Sequence, residues 1–96
     1  MPQYLILATD HTDQDALNRR LSVRETHLAR MRVERSGGSF ELGGAKLDKE
    51  GNMFGSMLVI NAENEKAAWE WVRQDPYVTG KVWEKIEVIP FRLANV

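Results

Sequence analysis

Apolar residues recur with two different periods along these 96 residues. From Gln3 to Thr9 the block Tyr4-Leu5-Ile6-Leu7 is apolar on both sides of an extended backbone, which predicts a buried central strand. Asp10-His11-Thr12-Asp13 breaks it, with Thr12 or Asp13 placed to cap a helix and more acid in its first turn to suit the dipole. From about Asp13 to Glu34 the spacing turns helical: Leu17, Leu21, Leu28 and Met31 form one stripe, and Gly37-Gly38 ends it. Ser39 to Lys46 alternates in part and reads as a second strand. Leu47 to Asn52 is a polar hairpin connection, and Met53 to Asn61 is a strongly apolar third strand. Asn64 to Gln74 is a second helix, capped by Asn64, with Ala68, Trp71 and Val72 inward. Asp75-Pro76 closes it, because the residue before proline avoids helical geometry. A short turn over Tyr77 to Gly80 leads into a last strand, Val82 to Arg92, with Ile86, Val88 and Ile89.

The order β-α-β-β-α-β predicts an α+β, ferredoxin-like fold. It is a four-stranded antiparallel sheet with two helices on one face, in a single domain spanning 1–96. The other sheet face is left bare. Leu5, Leu7, Met57 and Val59 are placed to be covered there by a second subunit, sheet against sheet, in a homodimer or an assembly of dimers.

Composition narrows the partners. An apolar fraction of 43% with three Trp suits a globular domain and is too high for disorder. Thirteen Lys and Arg face fourteen Asp and Glu, so net charge makes no case for nucleic acid or an anionic membrane. The arginines bunch between Arg19 and Arg35 but are interrupted by Glu25 and Glu34, which favours a local anion site over a polyanion track. With no cysteine there is no disulfide framework and no thiolate metal site. Met1-Pro2-Gln3 lacks the basic start of a signal peptide and Tyr4 to Ala8 is too short to span a bilayer, so the expectation is a cytoplasmic protein.

Candidate chemistry concentrates on the first helix. Arg20, Arg24 and His27 fall within roughly 60° of one another, along one edge of the leucine stripe. Histidine is the side chain suited to proton transfer near neutral pH, and two guanidiniums beside it suit a small carboxylate, phenolate or enolate. A carboxylate from elsewhere would complete a His–Asp pair, and Asp75, held by a stiff turn, is the candidate. Asp10, at a strand end next to the helix start, is a secondary candidate for the same cleft. The competing readings are a solvated helix edge for the arginines and a plain helix stop for Asp75. Asp10-His11-Thr12-Asp13 matches no metal signature, so no metal is expected. Gly43-Gly44 and Gly55-Ser56 lie in predicted strands, where glycine marks a bulge or a close approach. Trp69, Trp71 and Trp83 read as core or interface residues.

The run Arg20-Leu21-Ser22-Val23-Arg24 with His27-Leu28-Ala29-Arg30 resembles the YciI-like family, the YCII-related domain. So do Asp75-Pro76-Tyr77-Val78, Gly55-Ser56 and Val88-Ile89-Pro90-Phe91, and the resemblance covers nearly the whole chain. It implies a ferredoxin-like fold, a dimer of the dimeric α+β barrel type, and a His–Asp centred site that carries onto His27 and Asp75, with Arg20 and Arg24 nearby. One similar enzyme is a dehydrochlorinase acting on a chlorinated hydroxyhydroquinone, and muconolactone isomerases share the general fold. The expected function is cofactor-independent acid/base chemistry on a small anionic or phenolic compound. The alternative is a non-catalytic ligand-binding or interaction module using the same cleft.

Overall fold

The computed structural model describes residues 1–96. Its elements are β1 (Gln3–Asp10), α1 (Ala16–Ser36), β2 (Phe40–Leu47), β3 (Met53–Asn61), α2 (Glu65–Arg73), the single turn α3 (Pro76–Thr79) and β4 (Trp83–Phe91). The strands lie in the order β2-β3-β1-β4, every neighbouring pair antiparallel. This is the expected α+β ferredoxin-like fold, with α3 in place of a simple turn.

Alternation along β1 sorts the sheet into two faces. Tyr4, Ile6, Ala8 and Asp10 are buried on the helix side, opposite Ile60, Leu58 and Ser56 of β3. Ile6, Leu58, Ile60, Ala68, Val72 and Val82 form the closed centre of the core. Each large aliphatic buried there contributes about 1.5–3 kcal/mol relative to exposure. On the opposite face Leu5 pairs with Val59 and Leu7 with Met57. Val59 is buried yet lies outside the main core cluster, and Leu42 and Phe91 of the outer strands remain exposed.

The first helix departs from expectation in two ways. It starts at Ala16, and neither Thr12 nor Asp13 caps it. Asp15 takes the N-cap place without a side-chain bond, and no acid stands in the first turn. Asp13 instead grips Arg19 through both carboxylate oxygens, at 2.7 and 2.8 Å, which holds its carboxyl well below the usual range. Arg19 also donates to the Lys81 carbonyl at 3.0 Å, tying the helix to the entry of β4.

The second departure is the buried face. Leu17 and Leu21 are exposed, while Ala16, Arg20, His27 and Met31 are buried with Val23 beside them. At 100° per residue, this stripe is rotated by roughly 100° from the leucine stripe. The inward face of α1 is therefore built around an arginine and a histidine.

The second helix behaves as its sequence predicts. Asn64 accepts from the Ala67 N–H at 2.8 Å, and Ala68 and Val72 are buried. Asp75 ends this helical segment and also starts the next, because its side chain accepts from the Tyr77 N–H at 2.9 Å as the N-cap of α3.

Candidate active site

A cleft of about 180 Å³ opens between α1, α3 and the β2–β3 hairpin. Its polar lining is Arg20, Arg24, His27, Ser56 and Tyr77, and Leu28, Met31, Phe40 and Leu58 supply the apolar part. Gly43 and Gly44 form the hairpin wall. A β-carbon at Gly43 would sit 2.7 Å from the Met57 carbonyl oxygen and 3.1 Å from the Phe40 ring, so position 43 requires glycine.

His27 is fixed from behind. Its Nδ1 lies 2.8 Å from Asp75 Oδ1, and Asp75 is wholly buried. The same oxygen accepts from the Tyr77 N–H, and Oδ2 accepts from Arg30 Nη1 at 2.9 Å. A carboxylate is an acceptor only, so Nδ1 carries a proton, and in the neutral imidazole the lone pair is on Nε2. Nε2 has no protein partner, and His27 lines the cleft. The imidazole also stacks on the Tyr77 ring, with centroids 4.0 Å apart and planes 16° from parallel, while Trp83 meets it edge-on. Tyr77 and Trp83 thus set the ring's plane, and Asp75 sets its tautomer.

Arg30 holds the carboxylate from the far side. It donates to Asp75 and to the Trp71 carbonyl at 2.6 Å, and its guanidinium lies 4.2 Å over the Trp71 ring. It is a positioning residue for Asp75 and faces away from the cleft.

The two candidate arginines differ. Arg20 is 2% exposed. Its Nη1 donates to both oxygens of Asp10, at 3.0 and 2.9 Å, and its Nη2 donates to Ser56 Oγ at 2.9 Å. The guanidinium lies 4.6 Å over the Tyr77 ring, and its buried Nε has no partner. Asp10 therefore sits behind Arg20 rather than in the lining. Burial pushes the Asp10 carboxyl up against the opposing pull of Arg20. Arg24 is half-buried on the cleft rim and makes no hydrogen bond or ion pair with the protein. It is the lining arginine without a protein partner.

The residues that sequence reasoning passed over are Arg30, Tyr77, Trp83 and the Ser56 hydroxyl. Arg30 stands one turn after His27, and Tyr77 follows Asp75-Pro76 directly. Ser56 shares strand parity with Leu58 and Ile60, which is the signal for an inward side chain. Trp83 needed the three-dimensional fold.

Burial pushes the Tyr77 phenol up from its ordinary value of about 10, with Arg20 and Arg24 pulling the other way. The folded state thus prefers the neutral phenol. The stabilisation this preference gives is complete below the unfolded value and is lost as pH rises through the folded one. Melting curves above pH ~10 should therefore fall more steeply for the wild type than for Tyr77→Phe. Equal slopes would show that the phenol is not held neutral by the fold.

No helix is long and apolar enough to cross a membrane. No three His, Asp or Glu side chains gather as a metal ligand set.

Comparison with known proteins bears on the family and the fold. The YCII-related domain matches residues 3–92. Protein YciI from Escherichia coli O6:H1 is 35% identical over 95 residues, covering 93% of this chain and 95% of that protein. An uncharacterized protein from Haemophilus influenzae matches to the same extent. Among solved structures, the 5-chloro-2-hydroxyhydroquinone dehydrochlorinase of Burkholderia phenoliruptrix AC1100, in complex with 2,5-dihydroxybenzoquinone, superposes with a TM-score of 0.81. It shares 22% identity, over 96% of this chain and 95% of that one, so the likeness speaks for the fold. A protein assigned as an antibiotic biosynthesis monooxygenase from Bacteriodes thetaiotaomicron VPI-5482 gives 0.58 at 18% identity, over 96% and 88% of the two chains. With its family domain matched almost end to end and its relatives aligned along nearly their full length, the chain belongs to the YCII-related domain family.

Proposed function

We propose that the chain is a small acid/base enzyme that moves protons on a single-ring phenolic or enolic anion. The observation that carries this is the His27–Asp75 pair, whose free Nε2 belongs to a cleft wall. The cleft has room for one ring, since an apolar cavity of about 150 Å³ already takes benzene and this one holds about 180 Å³. Nε2 takes a proton from a ring hydroxyl, and the freed electron pair enters the ring as an enolate. The imidazolium then returns the proton to a ring carbon, which completes an isomerisation. Where that carbon bears a halide, the halide leaves with its bonding pair and a second hydroxyl loses its proton, for net loss of HX. Arg24 balances the oxyanion charge, and Arg20 with Asp10 stands behind it. The reading includes a homodimer seated on the open sheet face. Sedimentation at the mass of one 11.0 kDa chain would remove that part of it.

The test is a nitrogen NMR titration of His27 with 2,5-dihydroxybenzoquinone, catechol and benzoate, alongside chloride release from 5-chloro-2-hydroxyhydroquinone. At least one ring compound should move the Nε2 resonance, and His27→Gln should abolish any turnover found. If no compound moves Nε2, the reading fails. If ligands bind but His27→Gln leaves turnover unchanged, the cleft binds and the proton chemistry lies elsewhere.

A further inference from the structure

The Ser56 hydroxyl has an unusual set of partners. It is 3% exposed and lines the cleft. Its oxygen accepts from Arg20 Nη2 at 2.9 Å and from Trp83 Nε1 at 3.1 Å. A hydroxyl has two acceptor positions and one proton to give. Both acceptor positions are taken by groups that only donate, a guanidinium and an indole N–H. The proton therefore has one remaining direction, and no protein atom accepts it there. A buried donor without an acceptor is costly, about 1–3 kcal/mol as a general figure, so the arrangement suits an acceptor brought in from outside.

We propose that Ser56 is the ligand-orienting donor of the cleft, and that the compound bound there presents a ring-borne oxygen to its hydroxyl. This rests on the reading of the cleft as a site for a small ring compound, and it deepens that reading by fixing the ring's orientation. Asp10 holds Arg20, and Arg20 and Trp83 hold the Ser56 oxygen. The buried ion pair thereby aims the serine proton. An oxygen anchored at Ser56 leaves another edge of the ring for Nε2 of His27, and Arg24 supplies the balancing charge. The substrate class narrows to rings carrying at least two polar substituents, one anchored and one reacting. A ring with a single hydroxyl would satisfy either Ser56 or His27, but not both.

Two kinds of experiment test this. The first is a crystal structure of the wild type soaked with 2,5-dihydroxybenzoquinone, in which a ligand oxygen should lie within hydrogen-bond reach of Ser56 Oγ. The second is a set of dissociation constants for wild type, Ser56→Ala and Ser56→Thr, measured with the same compound and with phenol. Ser56→Ala should weaken the dihydroxyquinone about tenfold or more, as expected for a hydrogen bond to a charged oxygen. Ser56→Thr, which keeps the hydroxyl, should recover most of that loss, and phenol should bind the wild type far more weakly than the quinone. The proposal is overturned if the bound quinone places no oxygen at Ser56, or if folded Ser56→Ala binds it as tightly as the wild type. Should the variants fail to fold, the wild-type complex decides alone. If ligands engage His27 but ignore Ser56, only this inference falls. If no ring compound enters the cleft, the functional reading falls with it.

Discussion

Arg20→Met is expected to cost about 3–5 kcal/mol of folding stability, because it strands Asp10 as a buried charge with no partner. That is a large share of the 5–15 kcal/mol that holds a typical domain together. Arg20 is spent on Asp10, Ser56 and the face of Tyr77, all inside the protein. Losing it leaves the Asp10 carboxylate and the Ser56 oxygen short of donors at once. The pair itself is a different matter. Burial already drives the Asp10 carboxyl up despite its arginine, so desolvation outweighs the attraction. Replacing both partners with apolar side chains, Asp10→Leu with Arg20→Met, should therefore recover most of the loss. Urea unfolding of the two single variants and the double variant gives the coupling energy directly. Additive single losses would show that the two charges are independent, against the 2.9 Å contact. On the role proposed above for Ser56, the double variant would still lose ligand affinity, which separates the structural role of the pair from its use in the cleft.

That buried pair also explains where the sequence misleads. The strands and the second helix follow from period-2 and period-3.6 patterns, because most of their buried positions are apolar, Asp10 and Ser56 excepted. The first helix breaks that link. Reading hydrophobicity alone selects Leu17, Leu21 and Leu28, yet the stripe that packs inward contains Arg20 and His27. Both side chains are buried because partners remote in sequence satisfy them: Asp10 and Ser56 for Arg20, Asp75 for His27. A pattern rule weighs one segment at a time and does not contain those partners. The candidate residues were legible as chemistry, being a histidine among arginines and a carboxylate at a stiff turn. Their division of labour was not. That Arg20 is occupied, Arg24 unpaired and Arg30 behind Asp75 depends on distances across 10 to 45 positions of chain.

On the acid/base reading proposed above, Asp75→Asn is expected to lower kcat by about two to four orders of magnitude while leaving the fold in place. The reason is the tautomer rather than the charge alone. Asp75 is acceptor-only, so it keeps the proton of His27 on Nδ1 and leaves Nε2 able to take one from the ligand. Asparagine has a donor amide. Its single oxygen goes to the charged donor Arg30, so its nitrogen takes the place that faces His27 Nδ1 and gives up the bond from the Tyr77 N–H. Nδ1 must then accept, the proton moves to Nε2, and the cleft faces a donor where it had a base. Nitrogen NMR reads this without a substrate: the protonated nitrogen should switch from Nδ1 in the wild type to Nε2 in the variant. Turnover of 5-chloro-2-hydroxyhydroquinone, where it occurs, should collapse in parallel. Asp75→Ala is a poorer test, since it removes every acceptor at this position and leaves Arg30 with one partner fewer. A variant with the Nε2–H tautomer and unchanged turnover would mean that Nε2 is not the base. A variant that keeps the Nδ1–H tautomer would mean that the amide oxygen stays on His27 and the Tyr77 N–H, and turnover should then survive.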